Sequence, residues 1–397
     1  MKLVLFAHPS FLSSQSMPRF AGMLASGFAS RGHQVQVWSP QALAHRWVPQ
    51  GALSKWAGYV DEFLLFPRWV RAALKREGGD TLYVFCDQAL GPWVPLVKQL
   101  PHVVHCHDLL ALRSALGHEP ENPTSITGKV YQRYIRWGFR QARHFISVSE
   151  KSRADLHRFG GVRPVTSEVI YNGLNFPFTP LPVDDALRAL TAAGLPATAL
   201  GMLLHVGGSQ WYKNASGVIR IYADYARQHR SPLPLWMVSP PPDAQISAAL
   251  QFVPPQGKVH FLGGLDSGTL QAAYSLARAL LFPSLAEGFG WPIVEAMACG
   301  CPVITTGEAP MTEVGGQAAR YLPRFRRGAD IQVWATSGAQ ALEELLSLNP
   351  AERRRLVAAG REQAARFGTE AAIDAYLRTY EQVLAKEWAQ RASSEST

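Results

Sequence analysis

The chain has 397 residues, 47% of them hydrophobic and 17% charged, with a formal net charge of +9. That length favours two domains, and the composition is too apolar for a disordered chain. The absence of any apolar run of eighteen residues argues against a membrane-spanning helix. The charge excess is one-sided: residues 1–180 hold 20 Lys and Arg against 11 Asp and Glu, residues 181–397 hold 19 of each, and residues 1–60 hold no acid. A basic first half fits an acidic partner such as an anionic lipid surface, a phosphorylated substrate or nucleic acid, and it equally fits general solubility.

In chain order, short β-branched runs alternate with longer amphipathic stretches. MKLVLFAHPSF is too short for a signal-peptide core and reads as a first buried strand. The strand candidates of the first half are 2–7, 34–39, 81–86, 102–107, 144–149 and 168–172; those of the second half are 202–207, 234–239, 259–263, 279–284 and 302–306. Helical patterns lie between them, such as 18–32 and a serine-capped 267–278. This alternation predicts parallel sheets with helices on both faces. The Pro-rich stretch NGLNFPFTPLPVDD (172–185) marks the boundary. The expected domains are 1–178 and 179–380, with 381–397 forming the end of a last helix and a frayed ASSEST tail. Cys86, Cys106, Cys299 and Cys301 form no C-x-x-C pair and read as buried thiols in a reducing compartment.

The chemistry-bearing residues concentrate in LAEGFGWPIVEAMACGCPV (285–303). Glu287 falls in a glycine-rich loop after a strand, Pro292 opens a helix, Glu295 sits one turn in and Gly300 ends it. Gly288 and Gly290 admit close backbone approach, and the helix start favours a phosphate. Two carboxylates there make sense as acceptors of hydrogen bonds from sugar or ribose hydroxyls. A second segment, LLHVGGSQWYKNASGVI (203–219), is strand, glycine loop and helix, with Lys213 near the strand's end. In a third, HVVHCHDLL (102–110), alternation puts His105 and His107 on one face of a strand and Cys106 and Asp108 on the other, so the four do not converge on a metal. No G-x-G-x-x-G follows the first strand, which argues against a dinucleotide-dependent dehydrogenase.

These segments resemble the family 4 glycosyltransferases. The resemblance rests on E-x7-E (Glu287, Glu295), the AMACGCPVI run after it and the loop EAPMTEVGGQAARYL (308–322), and it is most specific in the second half. It implies an α/β GT-B fold, two Rossmann-like doubly wound parallel-sheet domains facing a central cleft, with the acceptor on the first domain and a nucleotide sugar on the second. It further implies retaining transfer of a hexose, with a weak lean toward mannose, to a saccharide or lipid-linked saccharide in polysaccharide synthesis. Glu287 and the Phe289–Gly290 backbone would then meet the sugar, Glu295 the ribose, and Gly208, Ser209, Lys213 and Gly288 the donor's remaining contacts. His107, beside Asp108, would reach the donor sugar.

Two departures stand out. Gly208 occupies the position of the usual arginine, leaving Lys213 as that motif's cation, and the first loop carries Ser10, Ser13, Ser14 and Ser16 in place of a glycine pair. Ser10, Ser13 and Asp108 are the candidates for the acceptor side. No D-x-D occurs, so no metal or other cofactor is expected. A sugar-nucleotide epimerase and a non-catalytic nucleotide-sugar-binding protein are the alternatives. The basic segment 129–143 (Lys129, Arg133, Arg136, Arg140, Arg143) reads either as an ordinary surface helix or as a peripheral contact with an anionic membrane. No nucleic-acid module accompanies the charge. The expected place is cytoplasmic, at the inner face of the membrane if that contact forms.

Overall fold

The structure, a computed structural model, describes residues 1–9, 11, 16–48, 51–77 and 80–395. The chain forms two compact units. Unit 1 comprises Met1–Glu119, Pro123–Asn175 and Thr369–Thr397, and unit 2 comprises Pro120–Asn122 and Phe176–Gly368.

Unit 1 is built on six strands: β1 (Lys2–Phe6), β2 (Gln34–Trp38), β3 (Thr81–Phe85), β4 (His102–Cys106), β5 (His144–Ser147) and β6 (Thr166–Val169). All pairs are parallel, in the order β2-β1-β3-β4-β5-β6. The inner strands β1, β3, β4 and β5 are buried along almost their whole length, as a parallel sheet covered on both faces requires, whereas the edge strands β2 (QVQVW) and β6 (TSEV) are exposed or half-buried along most of theirs. Val4, Phe6, Tyr83, Phe85 and Val104 pack into one core with Trp38, Phe66, Trp93 and Phe139. On the opposite face lie the helix Ser16–Ala29 and the last helix, Thr369–Glu395. Gly27 permits this: a Cβ there would come within 2.7 Å of Ile373.

Unit 2 holds β7 (Met202–Val206), β8 (Leu235–Val238), β9 (Val259–Phe261), β10 (Ala277–Phe282), β11 (Val303–Thr306) and β12 (Ala319–Leu322). They too pair in parallel, in the order β12-β11-β10-β7-β8-β9. Counted within the unit this is the 3-2-1-4-5-6 order of dinucleotide-binding folds, whose ligands sit where the order reverses. Leu203, Leu235, Met237, Ala279, Leu281 and Ile304 form its core with the helix Ala215–Arg227 and Trp334.

All eleven expected strands have a counterpart, the sixth shifted from the expected 168–172 to Thr166–Val169, and four further differences correct the remaining expectations. Residues 308–322, expected as a loop, contain the helix Met311–Gly315 and β12. The helix Ser267–Leu276 is capped by Asp266, whose carboxylate accepts from Thr269 N at 2.9 Å, not by a serine. The chain beyond Gly368 groups with unit 1 rather than extending the second domain to residue 380. The physical reason is burial: Ile373, Tyr376, Tyr380 and Val383 are fully enclosed there. Finally, the backbone is helical through Glu395 rather than frayed from 392, and Ser396 and Thr397 lie outside the described residues. The four cysteines are buried and unpaired. Among the described residues no helix is long and apolar enough to cross a membrane.

Candidate active site

In unit 2 the strand order reverses between β7 and β10, and the segments leaving those two strands meet. After β7 the chain makes a short turn, Trp211–Lys213, and enters Ala215–Arg227 through Asn214, which adopts a left-handed backbone (φ 53°). Asparagine tolerates that conformation better than most residues. Its side-chain amide donates to Pro283 O at 3.1 Å, just past β10, and Leu285 N donates to Tyr212 O at 2.7 Å. These bonds lock the two segments together and bring Lys213 Nζ to 2.8 Å from Glu287 Oε1. The pair is largely enclosed, with side chains 15% and 8% exposed. The ammonium also lies over the Phe282 and Tyr212 rings, 5.1 and 5.3 Å from their centroids.

The loop from Glu287 enters the helix Trp291–Ala298 through Gly290 at φ 105°, a conformation strained for any residue with a Cβ. Phe289 turns its ring into the core, 5.5 Å from Phe367, so its backbone is what the loop can offer a ligand. Glu295 is 5% exposed, and its Oε2 accepts from Tyr274 OH at 2.9 Å. The expectation that ligand hydroxyls satisfy both acids therefore needs amending, since each already has a protein partner. Gly208 and Ser209 lie in the loop after β7, Ser209 exposed. A Cβ at 208 would meet the side-chain amide of Gln210, an exposed and flexible end that would have to move aside. His205, on β7, went unnoticed in the sequence. Its Nδ1 donates to Leu281 O at 2.8 Å, its Nε2 has no partner, and burial pushes it down to about 4, so it stays neutral.

In unit 1, His107 is buried just past β4. Its Nε2–H donates to Cys86 O at 3.0 Å, and burial lowers its basicity, so Nδ1 carries a lone pair. His105 shares its face, as alternation predicts: both rings pack against Phe20, at 5.2 and 4.5 Å. Asp108 accepts from Leu110 N at 2.9 Å, a helix-start role. Ser10 and Ser13 lie outside the described residues.

Unit 1 also holds a polar cluster that sequence reading missed. His8 Nε2 meets Asp87 Oδ2 at 2.8 Å, and Glu62 is buried beside them. Burial pushes the Glu62 carboxyl up to about 7 from its ordinary 4.5. The folded chain therefore binds that proton more tightly than the unfolded chain, and stability falls as pH rises from about 4.5 to about 7. Glu62→Gln removes the loss. Its advantage over wild type in urea unfolding should grow from near zero at about pH 4.5 to on the order of 2–3 kcal/mol at about pH 8.

Comparison with known proteins places these features in a family. The model for glycosyl transferases group 1 matches residues 196–363, and that for glycosyltransferase family 4 matches residues 17–176. The chain belongs to the family 4, group 1 glycosyltransferases. Both halves of the family pattern are thus present, one on each unit. Among relatives, the O-antigen chain mannosyltransferase B of Escherichia coli is 28% identical over 183 residues, 45% of this chain and 46% of that one. A D-inositol 3-phosphate glycosyltransferase of Mycobacterium tuberculosis is 26% identical over 310 residues, 74% of this chain and 59% of that one. The chain thus spans about half to three-fifths of these relatives' lengths.

Solved glycosyltransferase structures extend the likeness of fold over almost the whole chain. Sucrose-phosphate synthase from Thermosynechococcus elongatus aligns with a TM-score of 0.71 at 20% identity, covering 97% of this chain and 99% of that one. WaaG, a glycosyltransferase of lipopolysaccharide biosynthesis, gives 0.70 at 17%, covering 94% and 98%. Anabaena HepE in complex with UDP and glucose gives 0.65 at 16%, covering 96% and 100%. The fold is GT-B, as the resemblance implied.

Proposed function

We propose that this glycosyltransferase is a retaining, metal-independent hexosyltransferase. It moves a hexose, mannose first among the candidates, from a nucleotide sugar to a saccharide or lipid-linked saccharide acceptor. The observation that carries this reading is the Lys213–Glu287 pair, 2.8 Å apart across the strand-order reversal of unit 2, with Glu295 one turn into the adjoining helix. An ammonium there meets the donor's diphosphate, Glu287 and the Phe289–Gly290 backbone meet the sugar, and Glu295, whose Oε2 accepts from Tyr274, meets a ribose hydroxyl. Nucleotide-sugar chemistry is supported by HepE, which was solved in complex with UDP and glucose. The lean to mannose is supported by the mannosyltransferase relative.

In the reaction the bond from sugar C1 to the phosphate oxygen breaks. A bond from C1 to the acceptor oxygen forms on the same face, and the acceptor's proton passes to the departing phosphate. Lys213 stabilises the charge that develops on that phosphate, a preorganised electrostatic contribution of the kind worth about 10²–10³ in rate. The reading is tested by a thermal-shift screen of GDP- and UDP-hexoses, followed by assay of nucleotide release. Stabilisation and release by at least one is the expected result. An epimerase would instead convert the sugar nucleotide with no nucleotide released.

We also place the chain at an anionic membrane surface, through unit 1. The structure narrows the basic stripe: Arg136 and Arg140 donate to the Gly160 and Gly161 carbonyls, and Arg143 pairs with Glu387. Lys129 and Arg133 remain exposed on the helix Ile126–Phe139, beside exposed Ile126, Val130, Tyr134 and Trp137. Tyr134 adjoins Phe63, and Tyr131 adjoins Tyr59, which in turn touches the 68%-exposed Trp56. Exposed aromatics among cations suit a lipid interface better than bulk water. Vesicles rich in phosphatidylglycerol should sediment the protein at low ionic strength and release most of it at about 0.5 M salt. Equal recovery with neutral vesicles would remove the anionic requirement.

A further inference from the structure

The segment that leads from β10 to Glu287 is gripped from three sides. Thr306 Oγ1, at the end of β11, donates to Ser284 O at 2.6 Å, and Leu285 N donates to Tyr212 O at 2.7 Å. The third grip comes from Arg324, two residues past β12, whose Nε donates to Leu285 O at 2.7 Å. Leu285 stands two residues before Glu287, and Tyr212 directly before Lys213. The guanidinium therefore holds the backbone beside the Lys213–Glu287 pair.

Arg324 has a second partner, drawn from the other half of the sequence. Its Nη1 lies 3.2 Å from Glu121 Oε1, and the two side chains are 11% and 14% exposed. Glu121 belongs to Pro120–Asn122, three residues that group with unit 2 although the chain on both sides of them groups with unit 1. Arg327 holds the same three residues by their backbone, its Nη1 donating to Pro120 O at 2.9 Å. Two residues before Glu121, Glu119 pairs with Arg113, which also meets Asp155 at 2.9 Å, all within unit 1. Near neighbours in the chain, these two acids are thus committed to different units.

An arginine can serve a carbonyl and a carboxylate at once because its donors form a rigid planar fork. Net stability does not account for the Glu121 side of the arrangement, since desolvation offsets much of the attraction in an enclosed ion pair. Glu121 Oε2, moreover, is buried without a hydrogen-bond partner among the described residues. What the pair does supply is a fixed orientation of the guanidinium toward Leu285 O. We propose that Arg324 is a positioning residue for the transfer, holding the donor loop at Leu285 so that Glu287 meets the sugar, with Glu121 holding Arg324 in turn. The donor loop then depends on three residues whose flanks belong to unit 1. The role in transfer rests on the transferase reading above, whereas the clamp itself is a property of the free protein.

The test joins hydrogen exchange of the free, full chain, read by mass spectrometry, with nucleotide release from GDP- and UDP-hexoses. In Arg324→Ala, peptides covering residues 284–291 should exchange about tenfold faster or more, the scale of one lost hydrogen bond to a charged group. Peptides covering β8 should not change. The kcat for release should fall about tenfold or more, with KM and thermal stabilisation by the free nucleotide within about threefold. Arg324→Lys, which keeps the charge without the fork, should fall between, and Arg327→Ala should stay near wild type. Glu121→Ala should act in the same direction as Arg324→Ala and add nothing to it in the double variant. If Arg324→Ala melts abnormally, Glu121→Ala takes its place. Unchanged exchange at 284–291 overturns the clamp. Faster exchange with unchanged kcat, or an equal effect of Arg327→Ala, overturns the positioning role, and a further loss from Glu121→Ala in the double variant removes Glu121 from it. Faster exchange in a chain that releases nucleotide from no donor refutes the transferase reading and leaves the clamp standing.

Discussion

Alanine at Lys213 should lower nucleotide release from the sugar donor by about 10²–10³-fold, with arginine recovering at least about tenfold of the loss. The size of the effect follows from the position of the charge. Gly208 stands where the family pattern has an arginine, so Lys213 is the motif's remaining cation. The Asn214–Pro283 and Leu285–Tyr212 bonds fix the segment that carries it, and Glu287 holds its ammonium, the preorganisation on which the expected loss rests. Removing it also strands the Glu287 carboxylate, whose side chain is 8% exposed. Breaking one side of an enclosed pair typically costs about 3–5 kcal/mol, so melting curves must accompany the rates. A variant that melts normally and keeps wild-type release would show that the diphosphate is neutralised elsewhere.

The second large effect is structural. A chain ending at Gly368 should lose the cooperative unfolding transition of unit 1. The helix Thr369–Glu395 buries Ile373, Tyr376, Tyr380, Val383 and Leu384. At about 1.5–3 kcal/mol for each large apolar side chain, these amount to on the order of 10 kcal/mol. That is comparable with the whole net stability of a domain, about 5–15 kcal/mol. Specific bonds go with them. Tyr380 OH lies 2.7 Å from His105 Nε2, Tyr376 OH donates to Asn172 Oδ1 at 3.4 Å, and Glu387 Oε1 lies 2.8 Å from the fully buried His144. Without the helix His105 would have no partner on either nitrogen, its Nδ1 already lacking one. Differential scanning calorimetry and limited proteolysis of the truncated chain check this. Survival of both transitions would mean that the helix is an accessory to unit 1 rather than part of it.

That helix also shows where the sequence stops being legible. Ile373, Tyr376, Tyr380, Val383 and Leu384 recur at three- and four-residue steps, so a buried helical face could be read. Nothing in a 3.6-residue period says which sheet the face will cover, and proximity in sequence pointed to the wrong unit. The interior strands were readable because parallel sheets covered on both faces need apolar runs. β12 was not, because ARYL is four residues on a sheet edge with Arg320 and Tyr321 turned outward. The same distinction holds at the sites. Lys213, Glu287 and Glu295 lie in two short segments whose glycines and spacing carry a pattern. His8, Glu62 and Asp87 are scattered over eighty residues, and only the pairing of β1 with β3, Phe6 opposite Phe85, brings two of them together. Polar residues just past strands at the reversal of the order were the available signal, and reading it requires knowing the order.

Both units thus place an ion pair or its near equivalent across the reversal of their sheets, Lys213–Glu287 in one and His8–Asp87 in the other. The proposed transfer depends on the donor lying in unit 2, with Glu287 at the sugar and Glu295 at the nucleotide. The most direct test is nucleotide release from a panel of GDP- and UDP-hexoses by wild type and Glu287→Ala, with thermal stabilisation by the free nucleotide measured on both. The expected result is release by wild type from at least one donor, a fall of about hundredfold or more in the variant, and equal stabilisation by the nucleotide. Undiminished release by Glu287→Ala would contradict the placement of the donor sugar.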